Sequence, residues 1–550
     1  MREMMRDPSN AATRSYTAPP SHTTAAAMGK AYSHRFGARK ANPHPGRGRG
    51  DAADGRVTSA EYAAGVPRDD VTAGALQIDY HHPLENWLGR PAARGLLTWL
   101  SRSGRDGRTP LERIIAGYGD PSLPWMRRLA YAPIHAIIHR MRGNVSMAEF
   151  RRRLVDHRPT LRGLVVVARS IAEFGLTVPQ RFVAPLFAVW NFTNRCNLAC
   201  RHCYQDSEHN VLDGELSLEE KLDLIDQMGA AHMPMLAFSG GEPTLSPDLL
   251  PCLRRAAGHD MHLTIATNGT TMTRRRAADL AAAGLRYVEI SLDSVDPDRH
   301  DAFRGVPGMW RRAVEGARNV VATEGLRLGI AMCVHRENVD EARDMIAFAE
   351  DLGASCFAHF NFIPVGRGLR MVSEDITPRQ REALLAVLNE KMQAGGMGVI
   401  STAPQLGRVC LAGSALDTGR AACSHAGSGS GIKARVVAKY LGGCGAGRTY
   451  VCIEPGGDVT PCVYLPHRVM GNVREAPLID IFRNSVFWQV LNDRTRRSHH
   501  CGACAFRNYC GGCRARADAY FGELDAGDPG CLFNEKHWER LVEAISAENA

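Results

Sequence analysis

The stretch "PLFAVWNFTNRCNLACRHCYQ" (residues 185–205) joins an apolar run to a loop that holds three cysteines. The uninterrupted apolar run is typical of a strand buried on both faces of a parallel sheet. The loop spaces Cys196, Cys200 and Cys203 by three and then two residues. A structural zinc site takes four ligands, and a disulfide takes two cysteines. Three neighbouring thiols therefore indicate a metal centre with one position left open.

Five more apolar runs follow the first, and helical segments rich in Ala and Leu separate them. The runs are "PMLAFSG", "HLTIATN", "RYVEISL", "RLGIAMC" and "SCFAHFNF". Strands that alternate with helices predict a parallel sheet, and no G-x-G-x-x-G motif follows the first strand, which favours a barrel over a dinucleotide-binding fold. We predict an α/β protein with a partial (β/α)6 TIM-like barrel, a helical N-terminal region and a small C-terminal cysteine-rich domain.

Polar residues and glycines mark the ends of the predicted strands. In barrels of this kind the chemistry lies at the C-terminal ends of the strands. The residues at these ends are Asn191, Ser239, Gly240, Gly241, Glu242, Thr267, Asn268, Ser291, Asp293 and Asn361. We therefore expect one site there. For Asn268, Ser291 and Asn361 the alternative is that each caps a helix or closes a loop.

The three thiols and the stretch "SGGEP" (239–243) suit the same chemistry. Soft thiolates bind iron–sulfur clusters, and three thiolates leave one iron of a cubane cluster without a protein ligand. The glycines let the backbone approach closely, and Glu242 can accept a hydrogen bond from an ammonium group. A zinc site with His202 or His209 as the fourth ligand is the alternative, but zinc would not explain the glycines and the carboxylate.

Four motifs in this order make the chain similar to radical SAM enzymes: C-x3-C-x2-C, "GGEP", "ATNGT" and "ISLDS", within residues 183–370. The resemblance implies a [4Fe–4S] cluster on the three cysteines, with S-adenosyl-L-methionine on its open iron. It implies reductive cleavage of this cofactor to a 5′-deoxyadenosyl radical that abstracts a substrate hydrogen. It assigns no catalytic residue, and it implies these cofactor-binding residues: Gly240, Gly241, Glu242, Asn268, Ser291, Asp293 and Asn361. His202 replaces an aromatic residue of the family, and we expect its ring to stack on adenine.

Eight further cysteines lie near the C-terminus, and their C-x2-C pairs could bind zinc or iron–sulfur clusters by spacing alone. Their order resembles the SPASM extension of radical SAM enzymes, an iron–sulfur domain with two auxiliary [4Fe–4S] clusters. The implied ligand sets are Cys444, Cys452, Cys462 and Cys513 for one cluster and Cys501, Cys504, Cys510 and Cys531 for the other. The implied role is removal of the electron left after hydrogen abstraction. The Cys510–Cys513 spacing and the position of Cys452 depart from the family, so exchanged ligands or a single auxiliary cluster are alternatives.

Short phrases such as "GAGRTY", "DVTPCVYLP" and "CGGCRARA" resemble the radical SAM subgroup that modifies porphyrin side chains in alternative haem and haem d1 synthesis. On this hypothesis Arg514 and Arg516 would bind a propionate, and the alternative is that they are surface or cluster-balancing cations. The rival substrates are a peptide or protein matured by a SPASM-class enzyme, and a lipid. Val463 weakens a sulfatase-maturing function, because those relatives carry an acidic residue there. A non-catalytic iron–sulfur or zinc module is the remote alternative.

Composition and charge limit the kinds of partner that the 550-residue chain can have, and its formal charge is +9. Residues 1–160 hold about 25 Lys and Arg and about 14 Asp and Glu, and the neutral remainder argues against a nucleic-acid partner. We predict these segments: a disordered basic leader (1–74), a helical region (75–182), the barrel (183–400), a linker (401–435), the auxiliary cluster domain (436–535) and a C-terminal helix (536–550).

The sequence also predicts where the protein is located and what it binds. No apolar stretch reaches about 18 residues, and no secretory signal is present, so we expect a cytoplasmic protein. The expected partners are a flavodoxin- or ferredoxin-type electron donor and a small-molecule or peptide substrate. Basic amphipathic helices also predict peripheral membrane contact somewhere within residues 75–182.

Overall fold

The N-terminal part of the structure, a computed structural model, consists of helices. Residues 83–143, 145–412, 420–423 and 427–548 are described, so the predicted leader (1–74) lies outside them. The helices are α1 (Pro83–Leu88), α2 (Pro91–Ser101), α3 (Pro110–Ala116), α4 (Trp125–Arg142), α5 (Met147–Phe150) and α6 (Arg158–Phe174). Helix α6 packs against α2 and buries Leu161, Val165 and Ile171. Its apolar spacing in the sequence therefore corresponds to one helix face.

All six predicted apolar runs form strands. They are β1 (Phe187–Asn191), β2 (Met235–Ser239), β3 (His262–Thr267), β4 (Leu285–Ser291), β5 (Arg327–Val334) and β6 (Cys356–Asn361). These strands lie side by side in chain order, and every neighbouring pair is parallel. The predicted α/β fold with a partial barrel is confirmed.

Helices connect the strands and cover the outer face of the sheet. They are α7 (Leu218–Ala230), α8 (Leu249–Gly258), α9 (Arg274–Ala282), α10 (Pro297–Arg304), α11 (Met309–Val321), α12 (Ala342–Asp351) and α13 (Pro378–Ala394). Capping boxes at Ser217 and Thr377 begin α7 and α13. Outward-facing strand residues such as Leu236, Phe238 and Val288 are fully buried under these helices. The main hydrophobic core therefore lies between the sheet and its helices.

The sheet is wider than the sequence predicts. It also contains β7 (Gly398–Ser401), β10 (Tyr450–Ile453), β11 (Asp458–Thr460) and β12 (Gly471–Asn472), whereas β8 (Arg420–Cys423) and β9 (Gly427–Ser430) form a separate antiparallel pair. Strand β7 pairs in parallel with β6, and β10 pairs in parallel with β1 at the opposite edge. Strands β11 and β12 continue that edge in antiparallel pairing. The C-terminal cysteine region is thus joined to the barrel through β10.

The last elements are short helices. They are α14 (Gln405–Ala412), α15 (Gly431–Leu441), α16 (Leu478–Arg483), α17 (Trp488–Asn492), α18 (His499–Ala503), α19 (Arg514–Phe521) and α20 (Trp538–Glu548). Residues 401–435, which the sequence predicts to be a linker, include helix α14, with Leu406 and Cys410 buried, and the β8–β9 hairpin. None of the helices within the described residues combines the length and apolar character that crossing a bilayer requires.

Candidate active site

The structure brings the three cysteines of the loop after β1 together. Cys196, Cys200 and Cys203 belong to one small apolar cluster around Leu198. Each thiol accepts one hydrogen bond: from Leu198 N at Cys196 (3.4 Å), from Arg304 at Cys200 (3.6 Å) and from Ser207 N at Cys203 (3.5 Å). Donors aimed at sulfur favour thiolates, the form of cysteine that binds metal.

The two glycines after β2 lie directly on this loop. The Gly241 N–H donates to Thr193 O (2.8 Å), and the Glu242 N–H donates to Arg195 O (2.8 Å). A Cβ atom at Gly241 would stand 2.3 Å from Arg195 O, and one at Gly240 would stand 2.6 Å from Thr193 O. Gly240 also has a φ of +118°. No other residue fits this close approach of two backbone segments.

The carboxylate of Glu242 joins the ends of β2 and β3. It is fully buried and accepts hydrogen bonds from Thr244, from the Thr267 hydroxyl (2.8 Å) and from the Asn268 N–H (2.8 Å). Burial first, and then the charge of the Glu242 carboxylate, raise the pKa of Cys196 to about 12. Oε2 accepts one hydrogen bond in the structure and keeps capacity for another.

Asp293 is part of the support of the loop and not a free ligand. One of its oxygens pairs with Arg304 (2.6 Å), and the other accepts from the Cys333 N–H (2.9 Å). Burial alone would raise the pKa of Asp293, but the Arg304 charge, two nearby histidines and the Cys333 N–H together outweigh it and lower this pKa to about 2. Arg304 in turn donates to Cys200. We therefore replace the predicted cofactor contact of Asp293 by a role in positioning Arg304.

The other predicted cofactor contacts divide into two groups. The Ser291 hydroxyl makes no hydrogen bond with any described residue and stays partly accessible on the concave side of the sheet. Asn268 binds Asn197 of the cysteine loop (2.8 Å). Asn361 instead accepts a hydrogen bond from Arg381 of α13 (2.9 Å). The structure therefore brings Ser291 and Asn268 to the site, whereas the Asn361 side chain faces the outer helix.

Both histidines near the loop are engaged elsewhere. The ring of His202 stacks on Phe303 (4.4 Å between centroids, 3° between planes), and Phe303 also stacks on His335. The expected stacking on adenine is thus replaced by a stack with α10. Burial lowers the pKa of His202 to about 3, so this ring is neutral. Nδ1 of His209 lies 2.9 Å from Cys196 O. The geometry therefore does not favour the zinc alternative.

We call the concave side of the sheet the lumen. Successive side chains of a strand point to opposite faces, and on β2, β3 and β4 those that alternate with the buried outward residues keep solvent access. They are Met235, Ala237, Ser239, His262, Thr264, Ala266, Tyr287, Glu289 and Ser291. Several are small, and none is Lys or Arg. The lumen therefore has room for a substrate beside the cysteine loop.

Glu289 is a carboxyl group inside the lumen. The carboxyl group of Glu289 makes no hydrogen bond or ion pair with any described residue. Burial raises its pKa to about 7. A carboxyl group with such a pKa can donate or accept a hydrogen bond at neutral pH. No pattern in the sequence marks Glu289, although it stands two positions before Ser291 on the same face of β4.

The C-terminal cysteines form two groups. Apart from burial, the pKa of Cys513 is raised by the charges of Cys444 and Cys462, among others. The pKa of Cys510 is raised by burial and by Cys531 and Cys501, and that of Cys504 by burial and by Cys501. The groups are therefore Cys444, Cys462 and Cys513, and Cys501, Cys504, Cys510 and Cys531. The same thiols stand together in the two predicted ligand sets, and their roles as cluster ligands stay a prediction.

Cys452 lies on β10, beside β1, and its Sγ is 3.4 Å from the Glu454 carboxyl. Glu454 accepts a hydrogen bond from Asn191 (2.9 Å), and Asn191 accepts one from the Tyr204 hydroxyl (3.0 Å). Charge on Cys462 also acts on Cys452. This thiol thus lies between the first C-terminal group and the cysteine loop. The pairing of β10 with β1 is a long-range contact that cysteine spacing cannot reveal.

Arg514 and Arg516 have structural roles. Arg514 donates to the carbonyl oxygens of Leu524 and Ala526 (2.7 Å each). Arg516 is fully buried, pairs with Asp375 (2.7 Å) and donates to Phe362 O (2.7 Å). The hypothesis that these two side chains bind a substrate propionate is therefore wrong. They hold the C-terminal domain together and against the barrel.

The residues fit the cofactors that the motifs imply. Three thiols with N–H donors suit one open cluster, and the glycine cradle admits a bound group next to it. The four cysteines of the second C-terminal group suit a closed cluster, as iron–sulfur sites require soft thiolate ligands.

Two family models match the chain. The radical SAM superfamily model matches residues 190–349, and the model of SPASM, an iron–sulfur cluster-binding domain, matches residues 444–505. The first match covers the strands and the cysteine loop of the candidate site. The second covers part of the C-terminal cysteine region.

Curated relatives and solved structures agree with these matches. The AdoMet-dependent heme synthase of Methanosarcina barkeri is 31% identical over 64% of this chain and 97% of its own length. Pre-heme d1 synthase of Dinoroseobacter shibae is 30% identical (62% and 85%), and mycofactocin maturase MftC of Mycobacterium ulcerans is 31% identical (64% and 88%). Streptococcus suis SuiB bound to S-adenosylmethionine shares the fold, with a TM-score of 0.51 at 16% identity over 74% of this chain and 88% of SuiB. The chain therefore belongs to the radical SAM superfamily, as an enzyme that binds S-adenosylmethionine and a [4Fe–4S] cluster and carries an additional iron–sulfur domain.

Proposed function

We propose that this enzyme oxidatively modifies a side chain of a tetrapyrrole. The observation that carries the proposal is that the lumen beside the cysteine loop is lined by partly buried side chains of β2, β3 and β4. Its small side chains, among them Ala237, Thr264 and Ala266, leave room for a broad, flat molecule. Support comes from relatives named AdoMet-dependent heme synthase, Fe-coproporphyrin III synthase and pre-heme d1 synthase, at 29–31% identity.

Within this proposal the loop residues have separate tasks. Cys196, Cys200 and Cys203 would hold the cluster, and Arg304, oriented by Asp293, would donate to the Cys200 sulfur. When bound, the cluster and S-adenosylmethionine supply the radical chemistry that removes a hydrogen atom from the substrate. The backbone at Gly240 and Gly241 and the carboxylate of Glu242 would bind the methionine amino group, and Ser291 and Asn268 would bind elsewhere on this cofactor.

Glu289 is the residue that we assign to the substrate. Its carboxyl group lacks a protein partner within the described residues and points into the lumen two positions below Ser291. Because burial keeps its pKa near neutrality, it can donate a hydrogen bond to a substrate carboxylate or carbonyl group. This contact takes the place of the propionate contact that the sequence predicted for Arg514 and Arg516.

The C-terminal cysteines would hold two auxiliary [4Fe–4S] clusters. Cys444, Cys462 and Cys513 would share the first, with Cys452 as the fourth candidate ligand. The other group would hold the second, and a flavodoxin- or ferredoxin-type protein would serve as the electron donor. Two sites are supported because the thiol charges that raise the pKa of Cys513 come from Cys444 and Cys462, whereas those that raise the pKa of Cys510 come from Cys531 and Cys501.

Maturation of a peptide is the second candidate function. The inward side chains of β2, β3 and β4 include no Lys or Arg to neutralise the carboxylates of a tetrapyrrole. A peptide without acidic residues would fit such a surface. Mycofactocin maturase MftC is as similar in sequence as the heme synthases, at 31% identity.

Transfer of deuterium tests the two candidates against each other. Anaerobically reconstituted enzyme is given S-adenosylmethionine, a reductant and either a tetrapyrrole deuterated in its propionate side chains or a deuterated precursor peptide encoded beside its gene. We expect deuterium in 5′-deoxyadenosine from the tetrapyrrole. Transfer from the peptide alone would overturn the first proposal in favour of the second.

A further inference from the structure

Helix α4 carries a row of apolar side chains that are exposed to solvent, and we call this row its apolar side. Trp125, Met126 and Leu129 are 74%, 67% and 71% exposed, and Ile137 is 38% exposed. At 100° per residue these four side chains, together with Pro133, lie on one side of the 18-residue helix. Apolar residues of an ordinary surface helix face the core instead.

The opposite side of α4 faces the protein and includes the partly buried residues Tyr131, Ile134, His135 and Ile138. Nε2 of His135 lies 2.8 Å from Ile114 O, and Nδ1 of His139 lies 3.2 Å from the Tyr118 hydroxyl. The Tyr118 ring also packs edge-on against His135 (5.3 Å). These contacts fix the rotation of the helix about its axis, so the apolar side cannot turn inward without breaking them.

Arginines stand at both ends of the apolar side. Arg127 and Arg128 lie in the first turn of α4, and Arg140 and Arg142 lie in the last turn. The guanidinium groups of Arg127 and Arg140 make no hydrogen bond or ion pair with any described residue. The sequence has no Asp or Glu between Asp120 and Glu149. The surface is thus apolar along its middle and cationic at its ends.

A lipid surface with anionic headgroups has the complementary chemistry. An interfacial helix buries Trp and Leu at the level of the headgroups, while its arginines reach the phosphates. A convex, single-helix surface suits a planar partner better than a groove would. The residues before α1 are not complementary, because residues 1–82 are themselves net basic.

We propose that the outer side of α4 (Trp125, Met126, Leu129 and Ile137, flanked by Arg127 and Arg140) binds the surface of an anionic membrane. The enzyme would lie on the bilayer through this helix without crossing it. Such placement would bring the enzyme to the source of an amphipathic, sparingly soluble substrate. The binding itself does not depend on the proposed substrate.

Vesicle co-sedimentation of the full-length reconstituted enzyme tests this proposal. We expect binding to vesicles of phosphatidylcholine with about a third phosphatidylglycerol, and binding to pure phosphatidylcholine weaker by about tenfold. The double variant W125S/L129S should lose at least about tenfold in partition to anionic vesicles, because each side chain buries apolar area in lipid. V486S is the matched control, since Val486 is 81% exposed and lies far from α4 in the sequence.

The variants also distinguish lipid binding from self-association of the chain. W125S/L129S should cleave S-adenosylmethionine at the wild-type rate, which shows that the variant is folded. R127Q/R140Q should keep part of the binding but lose its preference for anionic lipid. Equal vesicle binding by wild type and W125S/L129S would overturn the proposal. So would a wild-type dimer that W125S/L129S converts to a monomer without any binding to lipid, because the face would then join two copies of the chain.

Discussion

The cysteine loop after β1 and the C-terminal cysteine region both bring thiols together, but the loop does so within one short segment and the C-terminal region over a much longer part of the chain. The loop gathers three thiols within residues 196–203, and the backbone of β2 and the Arg304–Asp293 pair support it. The C-terminal region gathers its thiols from residues 444–531. There, Asp528 accepts from the Cys513 N–H (2.8 Å) and its own N–H donates to Cys501 (3.4 Å). The loop leaves one position for a cofactor, whereas the larger region depends on domain packing for its assembly.

The largest expected effect is that of Cys200→Ala in the loop. Loss of one of three thiolates should abolish reductive cleavage of S-adenosylmethionine, measured as 5′-deoxyadenosine, because the cluster is no longer held. The C-terminal groups should keep about eight of about twelve irons, measured by iron analysis and EPR.

Cys252→Ala is the matched control for that variant. Cys252 is fully buried in helix α8 of the main core, away from both cysteine regions. Its replacement should cost some stability but leave iron content and cleavage unchanged. Normal cleavage by the Cys200→Ala enzyme would contradict the ligand role of the loop.

Gly241→Ala tests the close approach of β2 to the loop. The new Cβ would stand 2.3 Å from Arg195 O, so the two backbone segments must separate. Displacement of about 1 Å at a reacting centre can cost about a hundredfold in rate, and we expect a loss of this size in 5′-deoxyadenosine formation.

Gly258→Ala serves as the comparison, because a Cβ there meets no atom within 4 Å and the residue ends helix α8. This control should cleave S-adenosylmethionine at the wild-type rate. Wild-type cleavage by Gly241→Ala as well would mean that the loop tolerates a wider gap than its geometry indicates.

Asp375→Ala tests how the C-terminal region is held to the barrel. Its buried carboxylate pairs with Arg381 and Arg516 (2.7 Å each) and accepts from the Tyr520 hydroxyl (2.6 Å). Removal takes the carboxylate partner from Arg381 and leaves Arg516 only its longer contact with Asp528 (3.4 Å), which should lower the free energy of unfolding by about 3–5 kcal/mol. Denaturant unfolding of the reconstituted enzyme measures this change.

The exposed pair of Arg343 and Glu390 (2.8 Å) provides the matched control. Glu390→Ala should change the free energy of unfolding by less than about 1 kcal/mol, because solvent screens an exposed ion pair. Comparable losses in Asp375→Ala and Glu390→Ala would show that the buried network does not hold the two parts together.

The strands and the cysteine loop could be predicted from the sequence because the patterns that identify them are local. Apolar runs identify β1 to β6, and the cysteine spacing identifies the three thiols without reference to distant residues. Strand β10 and the roles of Arg516 and Asn361 depend on pairings with residues far away in the chain. A buried arginine and a substrate-binding arginine look the same in a sequence, so only packing separated them. Glu289 was missed because one carboxylate in an apolar strand gives no pattern.

Glu289→Gln should produce the smallest of these effects, seen in the pH dependence of stability. Burial raises the pKa of Glu289 from 4.5 to about 7, so this group stabilises the fold fully below about pH 4.5. That stability is lost as the pH rises to about 7, because the unfolded chain ionises more readily. The free energy of unfolding of the wild type should therefore fall by about 1–3 kcal/mol more than that of Glu289→Gln between pH 5 and pH 8. Parallel curves for the two proteins would show that the carboxyl group has a hydrated environment, unlike the dry surroundings of Glu242, and would remove the physical reason for assigning it to the substrate.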